Sequence, residues 1–307
     1  MGRKKIIIGS RNSKLALIYA NRAKAEIDCI KSDYGVEEIT IKEITTAGDL
    51  NQKIRLSELG GKGLFSKKIE YELLNKKIDL AVHALKDMPS DETEGLLTNC
   101  FLERNAPREV LISTNNQNIE DLEPKSIIGT SSFRREFQLK RKRNDLNYKL
   151  IRGNVDTRIK KLNDGLYDAI ILSYAGIQSL NLNKKISQVF SSSEIIPSVG
   201  QGVIAVQCRA NDLEMINLLN KINHTSTHNC VLAERNVLKV LEGDCETAVG
   251  AIANIEKDII NLEAELFSLD GKQRFYYKAT KKINFPIELG KEVGQFLKKE
   301  SKNSYKK

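Results

Sequence analysis

The tripeptide Lys86-Asp87-Met88, within IDLAVHALKDMPSD, sets a carboxylate beside an ammonium where an apolar run ends. Ile78 to Val82 has the length and composition of a buried strand. A polar turn follows, which Pro89 fixes. A strand here delivers Asp87 to its carboxyl end, the edge at which open α/β sheets bind ligands. A carboxylate there can stabilise a cation or pass a proton; a solvated turn aspartate is the plain alternative.

Four further segments have a common chemistry, namely GSRNS (9–13), GTSSFRRE (129–136), RGNVDTR (152–158) and SVGQG (198–202). Each joins small or hydroxyl residues to free backbone N–H groups, and the first three add arginine. Helix starts capped by serine attract anions through exposed amides and the helix dipole. One such junction is an ordinary cap with a surface arginine. Three with arginine indicate a site for several carboxylates or phosphates. Arginine is the minority cation of the chain, yet Arg11, Arg134, Arg135, Arg152 and Arg158 occupy these turns, where a planar fork suits oxyanions better than lysine does.

The loop GGKGLF (60–65) matches neither the dinucleotide fingerprint nor the P-loop, since GxGxxG is absent and no Lys-Ser/Thr pair closes it. It reads as a flexible turn or as a mobile lid carrying Lys62 and Phe65. Cys245, in LEGDCETAVGA, falls on a tight turn marked by Gly243 and Asp244. That makes it more exposed than the other cysteines, whose contexts are apolar. It is a candidate nucleophile or attachment point, or an inert thiol. No histidine adjoins it in sequence.

The 307 residues suffice for two or three domains, and 40% hydrophobic with 29% charged residues is the composition of a globular protein. No apolar run approaches the roughly 18 residues of a membrane span. MGRKKIIIGS lacks a signal-peptide core, so the cytoplasm is the expected location. Five separated cysteines with no CxxC pair argue against a disulfide framework or zinc ribbon. His224, His228 and Cys230 have a spacing that could ligate metal, but HTSTHNC reads better as a polar helix start, and no metal is expected. The net charge of +9 admits a nucleic-acid partner. Dispersed lysine and 6% aromatic residues, with no RNA or DNA motif, speak against one.

The elements that must position these residues alternate. Strands are expected at 6–9, 38–45, 78–83, 96–102 and 109–113, with helices at 13–30, capped by Ser13, and 64–77. A second set holds strands at 126–129, 148–152 and 169–173 and helices from Ser131 or Ser132, from Asn154 over 155–162, and over 174–180. Segment 198–209 reads as strand. After Leu213 come helices, then antiparallel strands at 247–255, 259–269 and 274–281 and a final helix over 288–299. The pattern is α/β: two doubly wound domains and a small α+β C-terminal domain. The boundaries are 1–103, 104–199 and 221–307.

Taken in order, GSRNSKLAL, GGKGLFSKKIE, DLAVHALKDMP, ERNAPRE, IGTSSFRRE, RGNVDTRIKKL, YAGI, VGQG, AERNVL and LEGDCETAVGA resemble the porphobilinogen deaminase (hydroxymethylbilane synthase) family along nearly the whole chain. The resemblance implies two domains like halves of periplasmic binding proteins, with a second segment of about 200–220 returning to the first, and a third domain carrying the cofactor. It implies head-to-tail joining of four porphobilinogen molecules, loss of four ammonia and release of 1-hydroxymethylbilane, a transferase reaction. The primer is a dipyrromethane in thioether linkage to Cys245. Asp87 matches the catalytic aspartate, which holds pyrrole N–H groups and stabilises the cation left by ammonia. Lys86, Arg11, Arg134, Arg135, Arg152 and Arg158 match binders of the acetate and propionate arms. Ser13, Asp49, Lys62, Ser132 and Gln201 fall in matching motifs, and Phe65 matches a lid position set to stack on a pyrrole. The implied chain is a cytoplasmic monomer that passes its product to uroporphyrinogen-III synthase, with no membrane partner. Ser179 stands where many relatives have arginine, Tyr19 where many have glutamine, and Ala47 where a basic residue is common. A bilobal anion-binding protein without chemistry is the competing reading; neither Asp87 nor Cys245 has a purpose there.

Overall fold

The structure, a computed structural model, describes residues 3–50, 63–243 and 247–306. The elements run β1 (Lys5–Arg11), α1 (Lys14–Asp28), β2 (Glu38–Ile44), α2 (Ala47–Leu50), α3 (Lys67–Leu74), β3 (Leu80–Ala84), β4 (Leu96–Phe101) and β5 (Glu109–Ser113). Then come β6 (Ile127–Gly129), α4 (Phe133–Lys142), β7 (Asn147–Lys149), α5 (Val155–Asn163), β8 (Ala169–Ser173), α6 (Tyr174–Ser179), β9 (Gln188–Val189) and β10 (Ile204–Arg209). The chain ends with α7 (Leu213–Ile222), α8 (Thr225–Leu241), β11 (Val249–Glu256), β12 (Ile259–Phe267), β13 (Arg274–Lys282) and α9 (Pro286–Ser301).

Two five-stranded sheets follow the same plan. The first is ordered β2-β1-β3-β10-β4 and the second β7-β6-β8-β5-β9. In each, three parallel strands are followed by one antiparallel strand, β10 or β5, and an edge strand pairs on its far side. Within the described residues the chain divides into two compact units: residues to Asn105 with Val203–His228, and Ala106–Gly202 with Asn229–Lys307.

Helices cover both faces of the first sheet. Ile6, Ile8, Leu80 and Val82 pack against Tyr19, Ala20, Ala23 and Ile27 of α1 and Met215, Leu218 and Leu219 of α7. On the other face Ile44, Ile78 and Ala81 pack against Ile69 and Leu73 of α3. Strand β3 therefore has apolar residues on both sides, as a strand buried between helices requires. The second sheet likewise has separate clusters, around Leu111, Ile128 and Ile171 and around Val110, Ile112 and Ile170. The three-stranded antiparallel sheet β11-β12-β13 packs on α8 and α9 through Val237, Leu262, Ala264, Leu289 and Val293. The fold is thus α/β with two mixed, helix-covered sheets and a small C-terminal α+β portion.

Several local expectations need correction. The strand expected over 148–152 is Asn147–Lys149, because Ile151 and Arg152 turn into the junction that starts α5. Helix α3 begins at Lys67 rather than 64 and stops at Leu74. Asn154 is the N-cap of α5 by position, but its side chain makes no capping bond. Cys29 is exposed at the end of α1, whereas its apolar neighbours suggested burial.

Candidate functional site

The first unit assembles its site at the carboxyl ends of β1 and β3. Strand β3 ends at Ala84, where Leu85 donates its N–H to Val203 O at 3.0 Å. A tight turn over Leu85–Asp87 follows, closed by Met88 N–H to Leu85 O at 3.0 Å. Pro89 offers no N–H to extend the turn. Asp87 is left half-exposed at the rim, and its carboxylate lies 3.9 Å from the Arg11 guanidinium. Arg11 is the last residue of β1, two positions before the Ser13 cap of α1, whose Oγ accepts from Ala16 N–H at 3.4 Å.

Asp49 fixes that arginine. Its carboxylate accepts from Arg11 Nε at 3.2 Å and from Arg11 Nη2, and also from Thr46 N–H at 3.1 Å and Thr46 Oγ1 at 2.7 Å. Burial pushes the Asp49 carboxyl up, but the bonds from Arg11 and Thr46 outweigh it and hold the group below its ordinary value. The Phe65 ring lies under the guanidinium, 4.0 Å from centroid to Cζ. It also abuts Gly48, where a Cβ would collide with the ring. Phe65, expected as a lid residue that stacks on a pyrrole, here packs on the Arg11 guanidinium.

Arg11, Ser13, Phe65, Ser66, His83 and Asp87 line one pocket, together with Tyr19 and Met88. Two of its lining residues carry a buried polar atom without a hydrogen-bond partner, Ser66 Oγ and His83 Nε2. Buried polar atoms without partners are costly, and a ligand with its own donors and acceptors relieves them. The pocket thus presents a guanidinium, a carboxylate and buried polar side chains beside apolar walls. Lys86 sits half-buried in the same turn as Asp87.

The second unit uses its arginines differently. Ser132 caps α4, accepting from Arg135 N–H at 3.4 Å. Arg134 and Arg135 then point back to the sheet, with side chains 5% and 8% exposed. Both donate to the fully buried Glu109 of β5, at 2.5 and 2.8 Å. Arg134 also donates to Ile196 O at 2.7 Å and Arg135 to Ile171 O at 3.1 Å. Burial lowers the Arg134 pKa, opposed by Glu109. The Nε of Arg135 is buried with no partner. Arg152 is also buried, while the half-buried Arg158 donates from Nε to Gly153 O at 2.8 Å. Gln201 is wholly buried and donates to Pro107 O at 2.6 Å, joining the segment before β5 to the turn before β10. Glycines at 200 and 202 take φ of +70° and +82° there, which other residues adopt only with strain.

Lys62 and Cys245 lie outside the described residues. Of the departures noted above, Tyr19 lines the pocket, Ala47 opens α2, and the Ser179 hydroxyl donates to Ala175 O at 2.7 Å within its own helix. Sequence reasoning gave no role to His83, Ser66 or Glu109. His83 stood in plain view inside a strand pattern. Nothing in the sequence pairs Glu109 with two arginines about 25 positions away. Among the described residues no helix is long and apolar enough to cross a membrane, and no cluster of three or more metal-ligating side chains occurs.

The two helix-covered sheets, with a carboxylate and a guanidinium in a pocket at the strand ends of one, make this an α/β protein with a polar pocket at a sheet edge. The sequence model described as "Porphobilinogen deaminase, dipyromethane cofactor binding domain" matches residues 6–217, and that of the "C-terminal domain" matches residues 228–299. A porphobilinogen deaminase of Staphylococcus carnosus is 41% identical over 299 residues, covering 97% of this chain and 96% of that one. One from Bacillus cereus is 43% identical, covering 97% and 95%. The chain belongs to the porphobilinogen deaminase family. Among solved structures, the periplasmic VFT2 domain of Bordetella pertussis BvgS is 12% identical with a TM-score of 0.42, over 71% of this chain and 86% of that one; at that distance it adds nothing to the strand order.

Proposed function

We propose that this chain is a hydroxymethylbilane synthase, a transferase that joins four porphobilinogen molecules head to tail and releases 1-hydroxymethylbilane and four ammonia. The observation that carries the reading is the carboxylate of Asp87 beside Arg11 in a pocket at the end of β3. Dipyrromethane, in thioether linkage to Cys245, supplies when bound the pyrrole end to which units are added. The Asp87 carboxylate accepts from pyrrole N–H and stabilises the positive charge that develops on the substrate as ammonia leaves. Fixed charge contributes most where water is largely excluded. Arg11, held by Asp49, meets a substrate carboxylate with its remaining donors, and Lys86 and Ser13 add donors at the same rim. Arg152, Arg158, Ser132 and Gln201 belong to the anion-holding set in the second unit. Arg134 and Arg135 belong to it through the rigidity of their Glu109 pair, with Arg135 Nε the open donor.

Three domains, 1–103 with about 200–220, 104–199 and 221–307, accord with the separate hydrophobic clusters of the two large sheets and the C-terminal sheet. The expected setting is a cytoplasmic monomer whose product goes to uroporphyrinogen-III synthase.

The deciding experiment is the intact mass of the purified chain beside a Cys245→Ala variant, before and after incubation with porphobilinogen. The expected result is an excess of two linked pyrrole units in the wild type alone, with ammonia and bilane released on turnover. A bare mass that porphobilinogen does not change overturns the reading in favour of a non-catalytic anion binder.

A further inference from the structure

Beneath the pocket floor runs a polar chain to which the bilane-synthase reading gives no role. His83 lies on β3, paired with Ala205 of β10, while Gln207 pairs with Ala81. With a side-chain period of two, His83 and Gln207 therefore stand on the same face of the sheet. His83 lies within hydrogen-bonding reach of Gln207. Yet His83 Nε2 and Gln207 Oε1 are both buried without a partner. Gln207 donates from Nε2 to Glu70 Oε1 at 3.3 Å and to Thr98 Oγ1 at 3.1 Å, and Glu70 Oε2 accepts from Thr93 Oγ1 at 3.0 Å. Glu70, on α3, is itself buried.

His83 lines the pocket that holds Arg11 and Asp87. Gln207, within reach of the ring, bonds a buried carboxylate. Burial holds the His83 pKa below its ordinary value; Glu70, Gln207 and Asp87 pull it up, and Arg11 adds to the lowering. The ring is therefore neutral near pH 7, with an acceptor nitrogen to offer. Once protonated, its charge is favoured by both Glu70 and Asp87.

We propose that His83 is the proton carrier of this pocket, accepting at its imidazole the proton released when two pyrrole rings join, with Glu70 acting through Gln207 as its positioning residue. The inference rests on the bilane-synthase reading. The substrate arrives as an ammonium and leaves its nitrogen as ammonia, and the cationic carbon forms a C–C bond to a pyrrole α-carbon. That carbon then loses its hydrogen as a proton to His83, and the C–H electron pair returns to the ring. The imidazolium gives the proton to the departing ammonia, so that each cycle ends with ammonium and a neutral imidazole. Asp87 then need not take up that proton while it faces the substrate cation.

The test uses the purified holoenzyme with isotope-labelled histidine. The chain has 3 histidines, so a His83→Asn variant assigns the His83 resonance by its absence. Without substrate, His83 should titrate below the ordinary histidine value, and Glu70→Gln should move that midpoint further down, because a carboxylate that favours imidazolium is gone. With porphobilinogen, kcat should fall on an acid limb that tracks the His83 midpoint and shifts with it in Glu70→Gln. In His83→Asn, kcat should drop about a hundredfold and the limb should vanish. An acid limb unchanged in His83→Asn, or a His83 midpoint that Glu70→Gln does not move, overturns the proposal. If His83→Asn does not fold, the paired shift of midpoint and limb in Glu70→Gln decides alone. Failure of the wild type to release bilane and ammonia sinks the functional reading instead, while the substrate-free titration still reports on the Glu70–His83 coupling.

Discussion

The two large sheets share a strand order, and in each the central leading strand runs into a serine-capped helix, yet their arginines have opposite fates. Arg11 closes β1 before the cap and keeps a pocket-facing guanidinium, with Asp49 behind it and Asp87 at 3.9 Å. Arg134 and Arg135 come after the Ser132 cap, in the first turn of α4, where the helix turns them back over the sheet. There the antiparallel strand β5 supplies Glu109 beneath both. The first sheet has no such carboxylate on β10: Ile204 pairs there with Ala84 at the end of β3, as Glu109 pairs with Ser173 at the end of β8. One junction leaves its guanidinium facing a pocket, and the other ties its two guanidiniums to a buried carboxylate. An arginine in a strand-to-helix turn is an anion binder only where the neighbouring strand leaves some of its donors open.

The comparison is broken most directly at Glu109. Replacing it with alanine strands two buried guanidiniums and should cost about 3–5 kcal/mol of stability, read from urea unfolding. A loss below about 1 kcal/mol would mean that the pair is open to solvent or ligand, like Arg11. Asp87→Asn tests the opposite end: kcat should fall at least about a hundredfold while the unfolding midpoint and bound cofactor mass stay put. Turnover near that of the wild type would leave the first sheet without its catalytic group.

Asp49→Asn should lie between them. It loosens Arg11, so KM for porphobilinogen should rise more than kcat falls, by roughly tenfold overall, with a stability loss of about 1–3 kcal/mol for the charge-assisted bonds. It also carries a pH signature. A carboxyl held below its ordinary value contributes stability above that value and loses it as pH falls through the depressed one. Acid unfolding below about pH 4 should therefore be shallower in the variant, since an amide at that position binds no proton. Equal acid slopes would show that Arg11 and Asp49 are not coupled.

The smallest effect concerns the thiols. Burial with the neighbouring Cys208 pushes Cys100 up to about 12, and burial with Asp212 pushes Cys208 up to about 11. At about pH 8 iodoacetamide should label exposed Cys29 and leave both untouched in the folded chain, as peptide mass mapping would show. Labelling of Cys100 would mean that the first sheet opens more readily than its core implies.

Local signals carried much of the architecture. Ser13 and Ser132 cap their helices because short hydroxyl side chains reach the open N–H groups of a first turn. The apolar run of β3 specified a strand covered on both faces, and Pro89 marked where it must stop. The same run set the expectation that Asp87 stands at a strand end, and the motif order carried the family. Side-chain roles were another matter. That β10 inserts antiparallel between β3 and β4 is a pairing over more than 100 positions, and only that pairing brings Gln207 under His83 and Glu70 beside both. Sequence spacing put Arg134 and Arg135 in a serine-capped turn; that both also pair with the buried Glu109 came only from the strand laid beside them. Cap, strand and turn are set by neighbours along the chain, so the sequence determines them. Whether a charge faces a ligand or a partner depends on which strand the fold lays alongside it, and the tertiary structure alone decides that.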